Sequence, residues 1–236
     1  MASRIAHEEG KLPTPTILIT LDDGSLHHIN APPFLSQSGF FRHAFANRPL
    51  HSTSHKIHLP GIRRDLWLYF QHFITTGQIP GGIQHPGKYT GRADMARADK
   101  FDIRIGPMDC EIHHLVELLV IGERMQAPSF QEKIMPKLIL AYKRFWEENA
   151  PRVPLGNVEY VFENLKNACL RRFVLDVLIF GMSDKTIKHA KKEGHLSMGV
   201  VGALKERKEE MKDRVRHPPW DRPSEYCLLN APTGFF

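Results

Sequence analysis

Apolar and polar positions alternate at the start of the first ordered-looking stretch. Ile17, Ile19 and Leu21 fall on one face of an extended segment, with Leu18 and Thr20 on the other, which predicts a strand over residues 17–21. Asp23-Gly24 follows, and glycine tolerates the positive φ of a two-residue hairpin turn, so residues 25–29 are expected as the return strand. Pro32 and Pro33 suit the opening of a short helix, because proline lacks only a donor that the first turn leaves unpaired. Ser38 then fits the N-cap of a second helix that places Phe41 and Phe45 on one face, with Phe40 adjacent. A hairpin and two short apolar helices cannot bury their faces alone. They need further helices or a second copy of the chain.

The period then becomes helical. After a short strand over residues 56–59 that ends at Pro60-Gly61, Leu66, Tyr69, Phe70 and Phe73 share the face of a buried helix closed by Thr76-Gly77. Residues 80–108 interrupt the pattern: Pro80-Gly81-Gly82 and Pro86-Gly87 make a loop, and the charge-dense residues 92–104 are helical in part or disordered. Asp109 is placed to cap a helix with Ile112, Leu115, Val116, Leu119 and Met125 on one stripe. Ser129 and Glu132 have capping-box spacing before Phe130, Ile134, Leu138, Tyr142 and Phe145, and Pro136 is expected to kink that helix or split it in two. A linker over 151–156 leads to a helical pair over 158–165 and 167–180, the second carrying Leu170, Phe173, Val174, Val177 and Leu178.

Several of these stretches resemble the BTB/POZ domain, in the version found in many fungal proteins. The similarity is carried by Leu21-Asp22-Asp23-Gly24-Ser25, His28-Ile29-Asn30 and the run from Phe34 through Phe41. It continues in Ile57-His58-Leu59-Pro60, in Phe73 through Ile79, and in Leu115 through Gln126. Phe162-Glu163-Asn164 and Leu170-Arg171-Arg172 look like the aromatic-Glu-Asn and Leu-Arg-Arg steps of fungal BTB-like chains, which extends the resemblance to about Met182. It implies an α+β BTB/POZ-like fold, a small β-sheet flanked by a helical cluster, with a helical C-terminal extension. The expected organisation is a flexible arm (1–15), a BTB/POZ-like domain (16–147, with the insertion 80–108), a helical extension (148–182) and a basic C-terminal tail (183–236). The resemblance also implies self-association through the helical face after the hairpin, with Phe34, Leu35, Phe40, Phe41 and Phe45 as interface residues.

Two departures bear on partners. Members that recruit a cullin-type ubiquitin ligase often carry a hydrophobic-x-Glu step after the second helix, whereas Ala46-Asn47-Arg48-Pro49 has no carboxylate. Repressor-type members often show an Asp before the first strand and a basic residue before the Ser of the helix pair. Here those places hold Thr14 or Pro15, and Gln37.

Composition changes this picture little. Hydrophobic residues make up 42% and charged residues 25%, ordinary for a globular chain. The formal charge of +6 and pI of about 9.3 allow an acidic partner without requiring one. Cys110, Cys169 and Cys227 are odd in number and far apart, which fits a reducing compartment, so the cytoplasm, the nucleus or both are expected. Pro13 and Pro15 precede an apolar run too short for a signal peptide, and the longest apolar run, residues 173–180, contains Asp176, so no membrane partner is expected.

No catalytic constellation emerges. Gly82-x-x-x-x-Gly87-Lys88 has phosphate-loop spacing, but Tyr89 replaces the Mg²⁺-binding hydroxyl, Pro86 removes an amide and no apolar strand leads in. His27-His28, His51, His55, His58 and His113-His114 cluster by spacing without the convergent acids or thiolates a metal site needs. No serine sits in a nucleophile elbow. The chain therefore reads as a non-enzymatic interaction module without cofactor, homo-oligomeric or bound to another protein. Two alternatives are a ubiquitin-ligase substrate adaptor and a nucleic-acid-associated transcriptional regulator. The latter would act through Lys185, Lys188, Lys191, Lys192 and residues 205–216, although Glu206, Glu209, Glu210 and Asp213 interleave that run as on a solvated helix face.

Overall fold

The alternation at Ile17, Ile19 and Leu21 builds the middle strand of a sheet. In the computed structural model, which describes residues 15–46, 55–80, 107–149, 153, 155–212 and 217–226, the chain is α+β and mostly helical. The described residues form one three-stranded sheet, nine α-helices and two 3-10 turns. The expected N-terminal arm, the loop over 47–54, the insertion from 81 to 106 and the glycine-lysine loop within it lie outside the described residues. Contacts divide the chain into two compact units, Met1–Arg64 and Asp65–Phe236.

In the first unit, strand β1 (Thr16–Leu21) lies between β2 (Leu26–Asn30) and β3 (His55–Leu59). It pairs antiparallel with β2, Ile17 opposite Ile29, and parallel with β3, Ile19 opposite Ile57. A parallel pair needs a crossover. Helices α1 (Ala31–Gln37) and α2 (Gly39–Phe45) lie within it. The turn after β1 departs from the two-residue hairpin. Leu21 N–H donates to Ser25 carbonyl at 3.1 Å and Gly24 N–H to Leu21 carbonyl at 3.0 Å, so residues 22–24 form a three-residue loop. Gly24, at φ 78, occupies the left-handed position such a loop requires. Ser38 separates α1 from α2: its extended backbone ends the first helix, and its hydroxyl accepts from Phe41 N–H at 3.4 Å.

The second unit is helical. Helix α3 (Arg64–Thr76) buries Leu66, Trp67, Phe70, Phe73 and Ile74, and Gly77 closes it with φ 71 and an N–H bond to Phe73 carbonyl at 2.7 Å. Helices α4 (Pro107–Arg124) and α5 (Pro128–Asn149) form the most extensive helix pair. Both open on a proline, so neither sequence-based cap holds. Asp109 lies inside the first turn of α4, and the cap of α5 is Ala127, whose carbonyl accepts from Phe130 and Gln131 N–H at 3.1 and 3.3 Å. Nor does Pro136 split α5: the helix runs unbroken past it, with Pro136 facing solvent and buried Ile134 and Leu138 on either side.

Helices α6 (Leu155–Asn164) and α7 (Ala168–Gly181) are the expected pair. The Glu123 carboxylate, from the end of α4, accepts from Lys166 and Asn167 N–H at 2.7 and 3.0 Å, and Asn167 caps α7 through Cys169 and Leu170 N–H. The residues expected as a basic tail include helices α8 (Asp184–Lys192) and α9 (Met198–Glu210), capped by Ser183 and Ser197. The 3-10 turns Pro219–Asp221 and Pro223–Tyr226 follow.

Candidate protein-interaction surface

The aromatic set singled out on α1 and α2 divides into two groups. Phe34, Phe41 and Phe45 are buried within the folded chain, the rings of Phe34 and Phe41 meeting edge to face at 5.2 Å. These three belong to the core, since each removes apolar area from water inside the chain. Leu35 and Phe40 are half-buried and retain surface, and Phe40 rests edge-on against Phe41 at 5.2 Å. Arg42 reaches back to the end of α1, donating to the carbonyls of Leu35 and Ser36 at 3.3 and 3.0 Å. That bond fixes the α1–α2 corner on which Leu35 is displayed.

Strand β2 adds a second feature. Among the described residues it pairs only with β1, which leaves its other side an open edge. Leu26, at its start, is 61% exposed, and His28 and Asn30 also face solvent. Sequence reasoning passed over Leu26. Its signal was available: in a five-residue strand whose only buried residue is Ile29, Leu26 sits at an odd number of positions from it and so falls on the opposite face.

The hairpin tip is polar and hydrogen-bonded. Asp22 accepts from Gly61 N–H at 2.6 Å and lies 3.1 Å from His58 Nε2, which ties the turn after β1 to the turn after β3. Asp23 accepts from Ser25 N–H at 2.8 Å, and hydrogen bonding by Ser25, side chain first and backbone second, holds its carboxyl below the ordinary value. Partial burial, reinforced by the positive charge of Arg64, lowers the affinity of His27 for a proton, and its Nε2 lies 3.1 Å from Ser25 Oγ.

The two adjacent histidine pairs resolve into separate structural roles, whereas His51 lies outside the described residues. His27 and His28 alternate along β2, the former half-buried and the latter exposed. His113 Nδ1 is 2.8 Å from Asn157 Oδ1 and its ring meets that of Tyr160 at a tilt, whereas buried His114 faces Asp65 and the ring of Tyr69. Among the described residues, no three or more His, Cys, Asp or Glu side chains converge in a way that holds a metal ion. No helix among them is long and apolar enough to cross a membrane.

One polar centre escaped sequence reasoning. Asp176 lies inside the apolar helix α7 with its side chain 1% exposed. Arg207 of α9, 8% exposed, grips it in a fork, Nε to Oδ1 at 2.7 Å and Nη2 to Oδ2 at 2.8 Å. Tyr226 donates its hydroxyl to the same Oδ2 at 2.7 Å, and Arg207 Nη1 also meets Glu210 at 2.7 Å. The reading of residues 205–216 as a solvated face therefore fails at Arg207. A carboxylate placed in an apolar helix must find a partner, and that requirement was the available clue. The two C-terminal sequence steps are brought together as well: Arg171 donates to Phe162 carbonyl at 3.0 Å and lies over the Phe162 ring at 5.1 Å.

Comparison with protein-family models, curated proteins and solved structures returned no match.

Proposed function

We propose that the chain is a protein–protein interaction module of the BTB/POZ kind, associating with a second copy of itself through the α1–α2 corner and the β2 edge. The observation that carries this reading is the exposure of Leu26 at the start of an open edge strand. Half-buried Leu35 and Phe40 add apolar surface on the helices that follow that strand. An edge strand offers unpaired backbone groups, and flanking apolar side chains supply the desolvated contact that makes such pairing stable. The buried members of the aromatic set, Phe34, Phe41 and Phe45, support the corner from within.

Light scattering on the purified chain at micromolar concentration tests the proposal. A dimer is expected, with Leu26→Asp and Phe40→Asp each shifting the mass toward the monomer while circular dichroism stays unchanged. A strict monomer that retains no partner in a pull-down overturns it.

A second reading, as a nucleic-acid-associated regulator, has one observation in its favour: Lys185, Lys188, Lys191 and Lys192 are all exposed on α8. It predicts duplex-DNA binding that weakens steeply with salt and is lost when these lysines become Glu. Substitution is the suitable test. Deleting the segment would also remove buried Arg207.

A further inference from the structure

The hydrogen bonds at the two ends of β2 show which way its backbone groups point. Leu21 N–H donates to Ser25 carbonyl at 3.1 Å and Ala31 N–H to Pro15 carbonyl at 2.9 Å, both across to the β1 side. In an antiparallel ladder such bonded residues recur at every second position, so residues 27 and 29 also turn toward β1. Leu26, His28 and Asn30 therefore turn their N–H groups to the open edge. Leu26 and His28 turn their carbonyls there as well, whereas the carbonyl of Asn30, the cap of α1, belongs to the helix. All three side chains are exposed and share one face of the sheet.

An edge of this kind is complementary to itself. Antiparallel pairing with β2 of a second copy, with the twofold axis at His28, sets Leu26 opposite Asn30 of the second copy and pairs all five residues of the strand. Moving the axis by one residue leaves only residues 26–28 or 28–30 paired. At the axis the two copies of His28 stand directly opposite, with Cα atoms about 5.5 Å apart and both rings on the same face. Two neutral rings fit there, because the N–H of one can donate to the bare nitrogen of the other. Two imidazolium rings do not, since like charges directly opposite on a sheet repel.

The surroundings offer His28 no compensating charge. Opposite it on β1 lies Leu18, flanked on that face by Thr16 and Thr20, and beyond these on β3 are Lys56 and His58. None of the three strands contains Asp or Glu, and the charged or titratable residues of α1 and α2 are Arg42 and His43. His27 turns to the other face, with its Nε2 3.1 Å from Ser25 Oγ. At the hairpin tip Asp22 is held by Gly61 N–H and lies beside His58, and Asp23 is held by Ser25 N–H.

We infer that two copies join β2 to β2 about a twofold axis at His28, and that this histidine pair makes the dimer weaken in acid. The inference rests on the self-association proposed above and adds its register and its control by pH. Because the facing pair excludes a second proton, the dimer binds fewer protons than two separate chains. Association therefore weakens as pH falls through the range in which imidazole gains its charge.

Sedimentation velocity over a dilution series of the full chain, at low salt and at pH 8 and 5.5, reads the affinity, with circular dichroism confirming that the chain stays folded. The dimer is expected to weaken by about fivefold between the two values. His28→Gln should keep the pH 8 dimer and abolish that change, and His28→Lys should be weak at both. The register is read separately by oxidation. His28→Cys should form a covalent dimer beyond the level of the unaltered chain, since Cα atoms about 5.5 Å apart suit a disulfide. Leu26→Cys should not, because its two copies would lie about 13 Å apart along the seam. A dimer that Leu26→Cys links and His28→Cys does not, one indifferent to pH, or one whose weakening in acid survives His28→Gln overturns the inference and leaves the self-association standing. A monomer at both pH values overturns the two together.

Discussion

Asp176 shows how one residue can tie distant parts of a chain together. Its carboxylate, buried in α7, joins Arg207 of α9 and Tyr226 of the last 3-10 turn. Desolvating two charges costs several kcal/mol, which their attraction offsets only when geometry and additional hydrogen bonds are good. Here the fork is bidentate, and the Tyr226 hydroxyl adds a third bond. Arg207→Ala would leave a buried carboxylate with Tyr226 as its remaining partner among the described residues. A loss of about 3–5 kcal/mol is expected in urea unfolding. The apolar pair Asp176→Leu with Arg207→Met should lose less than Arg207→Ala alone, because it leaves no charge unpaired. Tyr226 supplies a pH signature. Burial first, and the nearby Asp176 carboxylate second, push its phenol well above the ordinary value. A pKa raised by folding contributes stability that is present below the unfolded value of about 10 and is lost progressively as pH rises above it. Urea midpoints from pH 9 to 11 should therefore fall, and Tyr226→Phe should flatten that fall.

At the scale of elements, two substitutions that look alike have opposite expected signs. Glycine to alanine inside a helix ordinarily gains about 1 kcal/mol. At Gly122 in α4, however, an added Cβ would lie 2.5 Å from Gln131 Cγ and 3.1 Å from Phe130 Cδ1. Gln131 is buried, and its amide donates to Leu119 carbonyl at 3.1 Å, so it cannot swing aside freely. Gly122→Ala is expected to destabilise by about 1–3 kcal/mol. Pro136→Ala in α5 should stabilise by about 1–3 kcal/mol, because Pro136 is exposed and the change restores a helix donor. Thermal melts of both variants check the pair. The same elements mark what was legible in the sequence. Periodicity found the buried stripes of α3, α4, α5 and α7, because four or five large apolar residues at helical spacing leave one solution. It missed both caps, since a polar residue near a helix start is equally at home in the first turn when proline takes the opening position. It also missed α8 and α9 as packed elements. In α8 only Ile187 and Ala190 are buried, too few to outweigh the lysines around them. On α1 and α2, apolarity alone cannot separate core Phe34 and Phe41 from half-buried Leu35 and Phe40.

On the scale of the whole molecule, each compact unit is held by contacts between segments far apart in sequence. In the first, the parallel pairing of β1 with β3 and the Asp22 bond to Gly61 bring together chain about 40 residues apart, Asp22 and Gly61 being 39 positions removed. In the second, the final described segment is a strap. The ring of Trp220 meets Trp146 of α5 at 5.7 Å and Phe180 of α7 at 5.4 Å, while Tyr226 meets Phe173 at 5.1 Å and donates to Asp176. Two aromatic anchors and one buried hydrogen bond join residues 217–226 to the helices beneath. Removing residues 217–236 would uncover part of the Trp146, Phe180 and Phe173 surface and leave Asp176 with Arg207 as its remaining partner among the described residues. Truncating one buried large aromatic costs about 3–5 kcal/mol, a large share of the stability of an ordinary domain. The truncated chain is therefore expected to melt at least 10 °C lower and to bind a hydrophobic dye more strongly than the full chain. Trp220→Ala and Tyr226→Phe should each reproduce part of that shift, the tryptophan more, since Tyr226→Phe keeps the ring on Phe173 and loses only the hydroxyl. If the truncated chain melts with the full one, the strap is an ornament on a core that α3 to α9 complete unaided.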